Sequence, residues 1–392
     1  MRWRDGGLVF RGTHGCPVSG SEVPRCETFG AWQPPVAGSP AHGANIAVEP
    51  IKIQCRKRSG PGMGEFAAAA QRHAALTDFS RARRSLSLVR DRPGTEAAMP
   101  VMRMDADQPV PPALRDAARR LPAGAPVLVM LHGYRYSPAH PAYDPHRHIL
   151  SPQAGPGGIS WPQQLGFQGD PSEGLALACG WEARGRLRHA YDRAAGAGAD
   201  LGAMIDDLAT LAGRPVGLIG HSLGGRVALQ ALAHAAPGRI GRIVLLNAAE
   251  FQDAAQSALD SPAGRMAEVL NVTARENDLF DFALEQLLSR GRRRALGAGL
   301  AQARANWVDL QIDDAATLEA LETLGFPTAR GARLMSHWTP YRRQGLFAFY
   351  RAALCHPWAL PLGLLRHHLP VRPQPRWSRL RAGPVSLGGM RA

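Results

Sequence analysis

Lysine is nearly absent from this sequence of 392 residues: Lys52 and Lys57 are the only two, and arginine carries almost all of the basic charge. The formal net charge is still +14, a balance that ordinarily points to an anionic partner, nucleic acid or membrane. The arginines are scattered through Ala-, Pro- and Gly-rich sequence, however, and no helical or strand face collects them, which argues against a nucleic-acid surface. Cysteine is scarce too. Cys16, Cys26, Cys55, Cys179 and Cys355 show neither CxxC spacing nor a pairing framework, so free thiols in a reducing, cytoplasmic setting are expected. No apolar run approaches the length of a membrane span, and the basic start "MRWRDGGLVFRGTHGC" lacks the apolar core of a secretory signal.

Periodicity is missing from the first quarter. Residues 1–98 hold turn formers throughout, as in "SGSEVPRCETFGAWQPPVAGSPAHGAN", which predicts a disordered extension. Within it, "IAVEPIKIQCRKRSGPGMGEFAAAAQRHAAL" imitates a strand, a glycine turn and a helix. Gly62, Gly64 and Ala67 even fit a loose G-x-G-x-x-A, but Pro50 interrupts the strand and no second βαβ half follows, so a dinucleotide site is rejected. Met99, Met102 and Met104 stand where the chain becomes regular, and the folded domain is expected over 99–369. The stretch after it has five arginines and no acid, which predicts a basic, disordered tail over 370–392.

What is present from residue 100 onward is alternation. Short apolar runs at Val127–Leu131, Leu175–Ala178, Val216–Ile219, Ile243–Leu246, Val269–Thr273 and Trp307–Ile312 read as strands buried on both faces. Residues 100–106 add an edge strand. Helical stretches intervene at Asp200–Leu211, Leu223–Ala236, Leu279–Leu288 and Leu346–Leu354. The pattern predicts an α/β fold: a mostly parallel sheet of six to seven strands with helices on both faces.

One junction carries chemistry. In "RPVGLIGHSLGGRVALQALAHAAPGR" (214–239) a strand becomes a helix at Ser222. A serine on so sharp a turn takes a strained backbone and projects its hydroxyl away from the sheet. Gly220 and Gly224 are needed because a Cβ at either position would collide with the crossing strand or helix. The alternative, a serine capping an ordinary βα turn, does not explain the second glycine pair.

On these residues the sequence resembles the α/β-hydrolase superfamily over roughly residues 100–360, with "GHSLGG" closest to the elbow of lipases, esterases and thioesterases. The resemblance implies three further parts. "PVLVMLHGY" ends a strand with His132-Gly133, so the backbone N–H of Tyr134 would join that of Leu223 in an oxyanion hole, with Gly133 shaping the turn and His132 packing it. "EVLNVTARENDLFDFALEQLL" offers Asp278 as the catalytic acid, with Asp281 as rival and Glu276 a distant third. Asp278 fits a helix N-cap equally well. "RLMSHWTPYRRQGLFAFY" supplies His337, giving the order Ser222, Asp278, His337. One departure is the distance of about 24 residues from the last strand to His337, which "DDAATLEALETLGF" is expected to fill with a helix.

The implied activity is a serine hydrolase cleaving a carboxylic ester or thioester through an acyl-enzyme on Ser222, its partner a small acyl substrate. An acyltransferase with the same triad, and a non-catalytic binding module on the same fold, are the alternatives. No metal or organic cofactor is called for. His140, Asp144, His146 and His148 imitate a metal cluster, but Pro141 and Pro145 place them in a loop without acidic neighbours. That loop stretch, 135–174, and residues 250–266 are expected to shape the acyl pocket.

Overall fold

The computed structural model describes residues 2–4, 7–9, 101–155, 157–331 and 333–370. The strand-like stretch at 46–76, nearly all of the extension 1–98 and nearly all of the tail 370–392 lie outside the described residues. The chain divides into two units, residues 1–90 and 91–392. In the first, β1 (Arg2–Arg4) pairs antiparallel with β2 (Gly7–Val9), Arg2 opposite Val9, a pairing that the expectation of disorder did not include.

In the second unit seven strands form one parallel sheet. In chain order they are β3 (Val101–Asp105), β4 (Val127–Leu131), β5 (Leu175–Gly180), β6 (Val216–His221), β7 (Ile240–Leu246), β8 (Glu268–Thr273) and β9 (Trp307–Gln311). Their spatial order is β3-β5-β4-β6-β7-β8-β9. The helices are α1 (Pro112–Arg119), α2 (Trp161–Gln164), α3 (Leu187–Ala212), α4 (Leu223–His234), α5 (Gln252–Asp260), α6 (Asp278–Ser289), α7 (Ala315–Thr323), α8 (Thr339–Arg342), α9 (Leu346–Cys355) and α10 (Leu362–His368). Side chains alternate faces along a strand. Val127, Val129 and Leu131 therefore join one core with Leu201, Ile205 and Leu208 of α3 and Val227 of α4. Leu128 and Met130 join the other, with Trp161, Phe349, Tyr350 and Leu365. Both faces of the sheet are covered, as the unbroken apolar strands require.

Two segments differ from the sequence expectation. Helix α3 runs for 26 residues, where only Asp200–Leu211 reads as helical. Its glycines hide it, because each weakens a helix by about 1 kcal/mol relative to alanine. They are there because α4 crosses α3 closely. A Cβ at Gly198 would sit 2.7 Å from the Val227 carbonyl oxygen, and one at Gly202 would sit 3.0 Å from the His234 Cβ. The stretch 135–174 is packed in part rather than an open loop. Ile149, Leu150, Trp161, Leu165 and Phe167 are buried in the second core, and Ser160 caps α2 by accepting a hydrogen bond from the Gln163 N–H. Of residues 250–266, Gln252–Asp260 form α5, whose Ala255, Ala258 and Leu259 are buried.

Parallel strands place all their carboxyl ends on one edge, where ligands of such sheets bind. Residues 132–134 follow β4, Ser222 follows β6, residues 274–278 follow β8 and the loop to His337 follows β9. Among the described residues, no helix is long and apolar enough to cross a membrane, and no group of three His, Cys, Asp or Glu side chains is gathered as for a metal ion. Cys179 and Cys355 are free thiols.

Candidate active site

Ser222 stands between β6 and α4 with φ 55° and ψ −122°. This backbone conformation costs a non-glycine residue about 1–3 kcal/mol, so the surroundings must enforce it. Three bonds do: Ser222 N–H donates to Leu246 O at 3.0 Å, and its carbonyl accepts from Gly225 N–H (3.0 Å) and Ala249 N–H (2.9 Å). The glycines leave room for this. A Cβ on Gly220 would lie 2.6 Å from the Gly224 carbonyl carbon, one on Gly224 would lie 2.8 Å from the Leu131 carbonyl carbon, and one on Gly133 would meet the Ser222 Cβ at 2.8 Å. Strand ends β4 and β6 thus touch at the serine.

Leu223 opens α4, so its N–H has no acceptor within the helix. Neither it nor the Tyr134 N–H has a hydrogen-bond partner among the described residues. The turn before Tyr134 is fixed by His132, which is fully buried. Its Nε2 accepts from Trp181 N–H at 3.0 Å, its Nδ1 donates to the Gly133 carbonyl at 3.0 Å, and its ring stacks on Trp181. Burial pushes its pKa down to about 4, and with both nitrogens engaged His132 serves the turn.

His337 reaches the same edge. Its carbonyl accepts from His221 Nε2–H at 3.0 Å and Asn247 Nδ2–H at 3.1 Å. His221 immediately precedes Ser222, so these bonds fix the histidine beside the elbow. The residue is half-buried, its ring between His221 (4.5 Å) and Phe280 (4.8 Å, stacked). Burial, then the neighbouring His221, holds its pKa well below the ordinary histidine value. His221 itself is lowered to about 4 by burial.

A family model described as alpha/beta hydrolase fold matches residues 182–355, a span that contains the elbow, the turn after β8 and His337. The chain has the α/β-hydrolase fold. Among solved structures it is similar to the Bacillus licheniformis lipase BlEst2 in its propeptide form, at 13% identity and a TM-score of 0.29, covering 65% of this chain and 53% of that one. The hydrolase-fold chain therefore spans about half the length of that lipase, and the likeness is too slight to add to the assignment. No curated protein matches the chain.

In this α/β-hydrolase fold the turn after β8 departs from the sequence expectation. The hydrogen bond at His337 Nδ1 goes to Asn277 Oδ1, at 2.6 Å, the position expected of Asp278 or Asp281. Strand β8 ends at Thr273, one tight turn spans Arg275–Asn277, and α6 begins at Asp278. Asn277 is thus the last residue before the helix. Asp278 and Asp281 are in the first turns of α6, both buried, and Asp278 is the first helical residue rather than a cap. Asn277 is an amide among three carboxylates, and its place at the ring follows from α6 beginning at Asp278.

Glu276, the third carboxylate, is an anchor. Fully buried, it accepts from Arg333 N–H (2.8 Å), Arg343 (3.2 Å) and the Thr339 hydroxyl, while its carbonyl accepts from Ser336 N–H at 2.9 Å. All four donors flank His337 in sequence. Glu276, His221 and Asn247 are the residues that sequence reasoning missed or misassigned, because their partners lie 60 or more positions away or are backbone groups.

Proposed function

We propose that this protein is a serine hydrolase acting on a carboxylic ester or thioester, with Ser222 as nucleophile and His337 as general base. The observation that carries the reading is the strained Ser222 beside a histidine whose carbonyl is tied to the neighbouring His221. A strain enforced by three backbone bonds and flanking glycines is the kind stored at functional sites. Because Asn277 occupies His337 Nδ1 as an acceptor, that nitrogen carries the proton and Nε2 is the basic one.

In the first half-reaction His337 Nε2 takes the Ser222 hydroxyl proton as Oγ attacks the acyl carbonyl carbon. The oxyanion forms against the unpartnered N–H groups of Tyr134 and Leu223, worth roughly 3–4 kcal/mol per donor in comparable sites. Collapse expels an alcohol or thiol, which receives the proton from His337. Water then attacks the acyl-enzyme, giving its proton to His337, and the carboxylic acid leaves as Ser222 regains its hydrogen.

The test is covalent labelling with a fluorophosphonate, followed by hydrolysis of p-nitrophenyl esters of increasing chain length. Wild type is expected to label and turn over, Ser222→Ala to do neither, and His337→Ala to label at least about 100-fold more slowly. Equal labelling of Ser222→Ala and wild type would sink the assignment. Labelling without hydrolysis, but with acyl transfer to an added alcohol, would make the protein an acyltransferase.

A further inference from the structure

The group that orients His337 in this chain is neutral. Asn277 Oδ1, 2.6 Å from Nδ1, can only accept a hydrogen bond. Were the amide turned over, its N–H₂ would donate to Nδ1 and push the ring proton to Nε2, which would leave no base for the serine. Something must therefore select the amide orientation. One turn along on α6 stands Asp281, whose carboxyl pKa the Asn277 side chain lowers, as a nearby N–H donor would. Asp281 is buried, its Oδ2 has no hydrogen-bond partner, and that oxygen packs where a Cβ on Gly297 would otherwise stand.

We propose that Asn277 is the positioning residue of His337, standing where a carboxylate is expected, and that Asp281 fixes the amide by accepting from its nitrogen. This rests on the hydrolase reading of Ser222 and His337. Burial, then the like charge of Asp278, raises the Asp281 carboxyl well above the usual carboxylate range. The rings packed against His337 carry no charge. His221 at the end of β6 is neutral, Phe280 on α6 and Trp338 on the histidine's own loop are uncharged, and Glu276 is matched by Arg343. On α6, Asp278 and Glu285 bear on Asp281. The base therefore stays unprotonated to lower pH than it would beside a carboxylate, and its cationic form receives less help in the transition state.

The experiment uses the full chain and two independent readouts. Asn277→Asp, nearly the same size, places a negative charge against Nδ1. The acidic limb of its kcat/KM profile is expected to move up by about one pH unit or more. Asn277→Leu is expected to lower kcat by roughly 100-fold or more with KM little changed, and Asp281→Leu to act in the same direction. The second readout needs no turnover: nitrogen-15 NMR of histidine-labelled protein reports which ring nitrogen of His337 bears the proton. Wild type is expected to show it on Nδ1, and Asn277→Leu to lose that preference. An unmoved acidic limb in Asn277→Asp, or Asn277→Leu within threefold of wild-type kcat, overturns the proposal. So does Asp278→Asn moving the limb while Asn277→Asp does not. If wild type fails to take the fluorophosphonate, the hydrolase reading has failed, and the NMR result still decides whether Asn277 orients the ring.

Discussion

At the scale of single residues, the elbow is held by volume as much as by bonding. A Cβ on Gly220 would overlap the Gly224 backbone and one on Gly224 the Leu131 and His132 backbone, and backbone cannot swing aside as a side chain does. Gly224→Ala is expected to cost about 1–3 kcal/mol and to displace the Leu223 N–H from the oxyanion position. Thermal melting and the fluorophosphonate labelling rate check this together; an unchanged melting temperature with unchanged labelling would contradict it. The sharp strand-to-helix turn at Ser222 and its close-packed glycines were legible in the sequence because their types and spacing are imposed by local geometry. The hydrogen-bond partner of His337 Nδ1 was not. Four candidates (Glu276, Asn277, Asp278 and Asp281) lie within six positions, and which one faces the ring depends on where α6 begins. That boundary is set by tertiary packing, and local pattern leaves it uncertain by a residue or more.

At the scale of elements, the sheet was readable and the helices less so. Mostly apolar runs of four to six residues between turns have few alternatives to a buried parallel strand, and each such run gave one. Helix α3 was half hidden because its glycines serve a crossing partner far away in sequence, so local propensity argued against what packing requires. The long connection from β9 to His337 shows how position can be independent of loop length. Glu276 pins both sides of the histidine, with Arg343 and Glu276 almost wholly out of solvent. Removing one member of such a pair leaves the other charge buried and costs about 3–5 kcal/mol. Glu276→Ala is therefore expected to lower stability by that amount and kcat more than tenfold, because Ser336–Thr339 lose their tether. Paired melting and kinetics test it: a destabilised variant with full kcat would mean that Glu276 serves the fold alone.

At the scale of the whole molecule, three histidines with depressed pKa values make stability depend on pH. His132 and His221 have folded pKa values of about 4, against about 6.5 unfolded. Between those values the unfolded chain binds more protons, so their contribution is present above pH 6.5 and is lost as pH falls toward 4. Each is worth on the order of 3 kcal/mol over the full window. His337 acts in the same direction, whereas Asp281, with its raised pKa, stabilises the fold at low pH and loses that contribution as pH rises. Denaturant unfolding at pH 7 and pH 4.5 is expected to show a steep loss in wild type. In His132→Asn that loss shrinks by about 2 kcal/mol, even though the variant is less stable at both pH values. Equal losses in the two proteins would show that His132 titrates normally.

The bond from His221 to His337 joins positions 116 apart, and this has a consequence for how the protein is made. A ribosome adding about 5–20 residues per second completes Ser222 roughly 6–23 s before it reaches His337. Through that interval the growing chain holds Ser222 without His337. Under the proposed mechanism a fragment released before residue 337 lacks its base and is expected to be inactive. The order of the parts along the chain then withholds activity until all seven strands of the sheet have been translated.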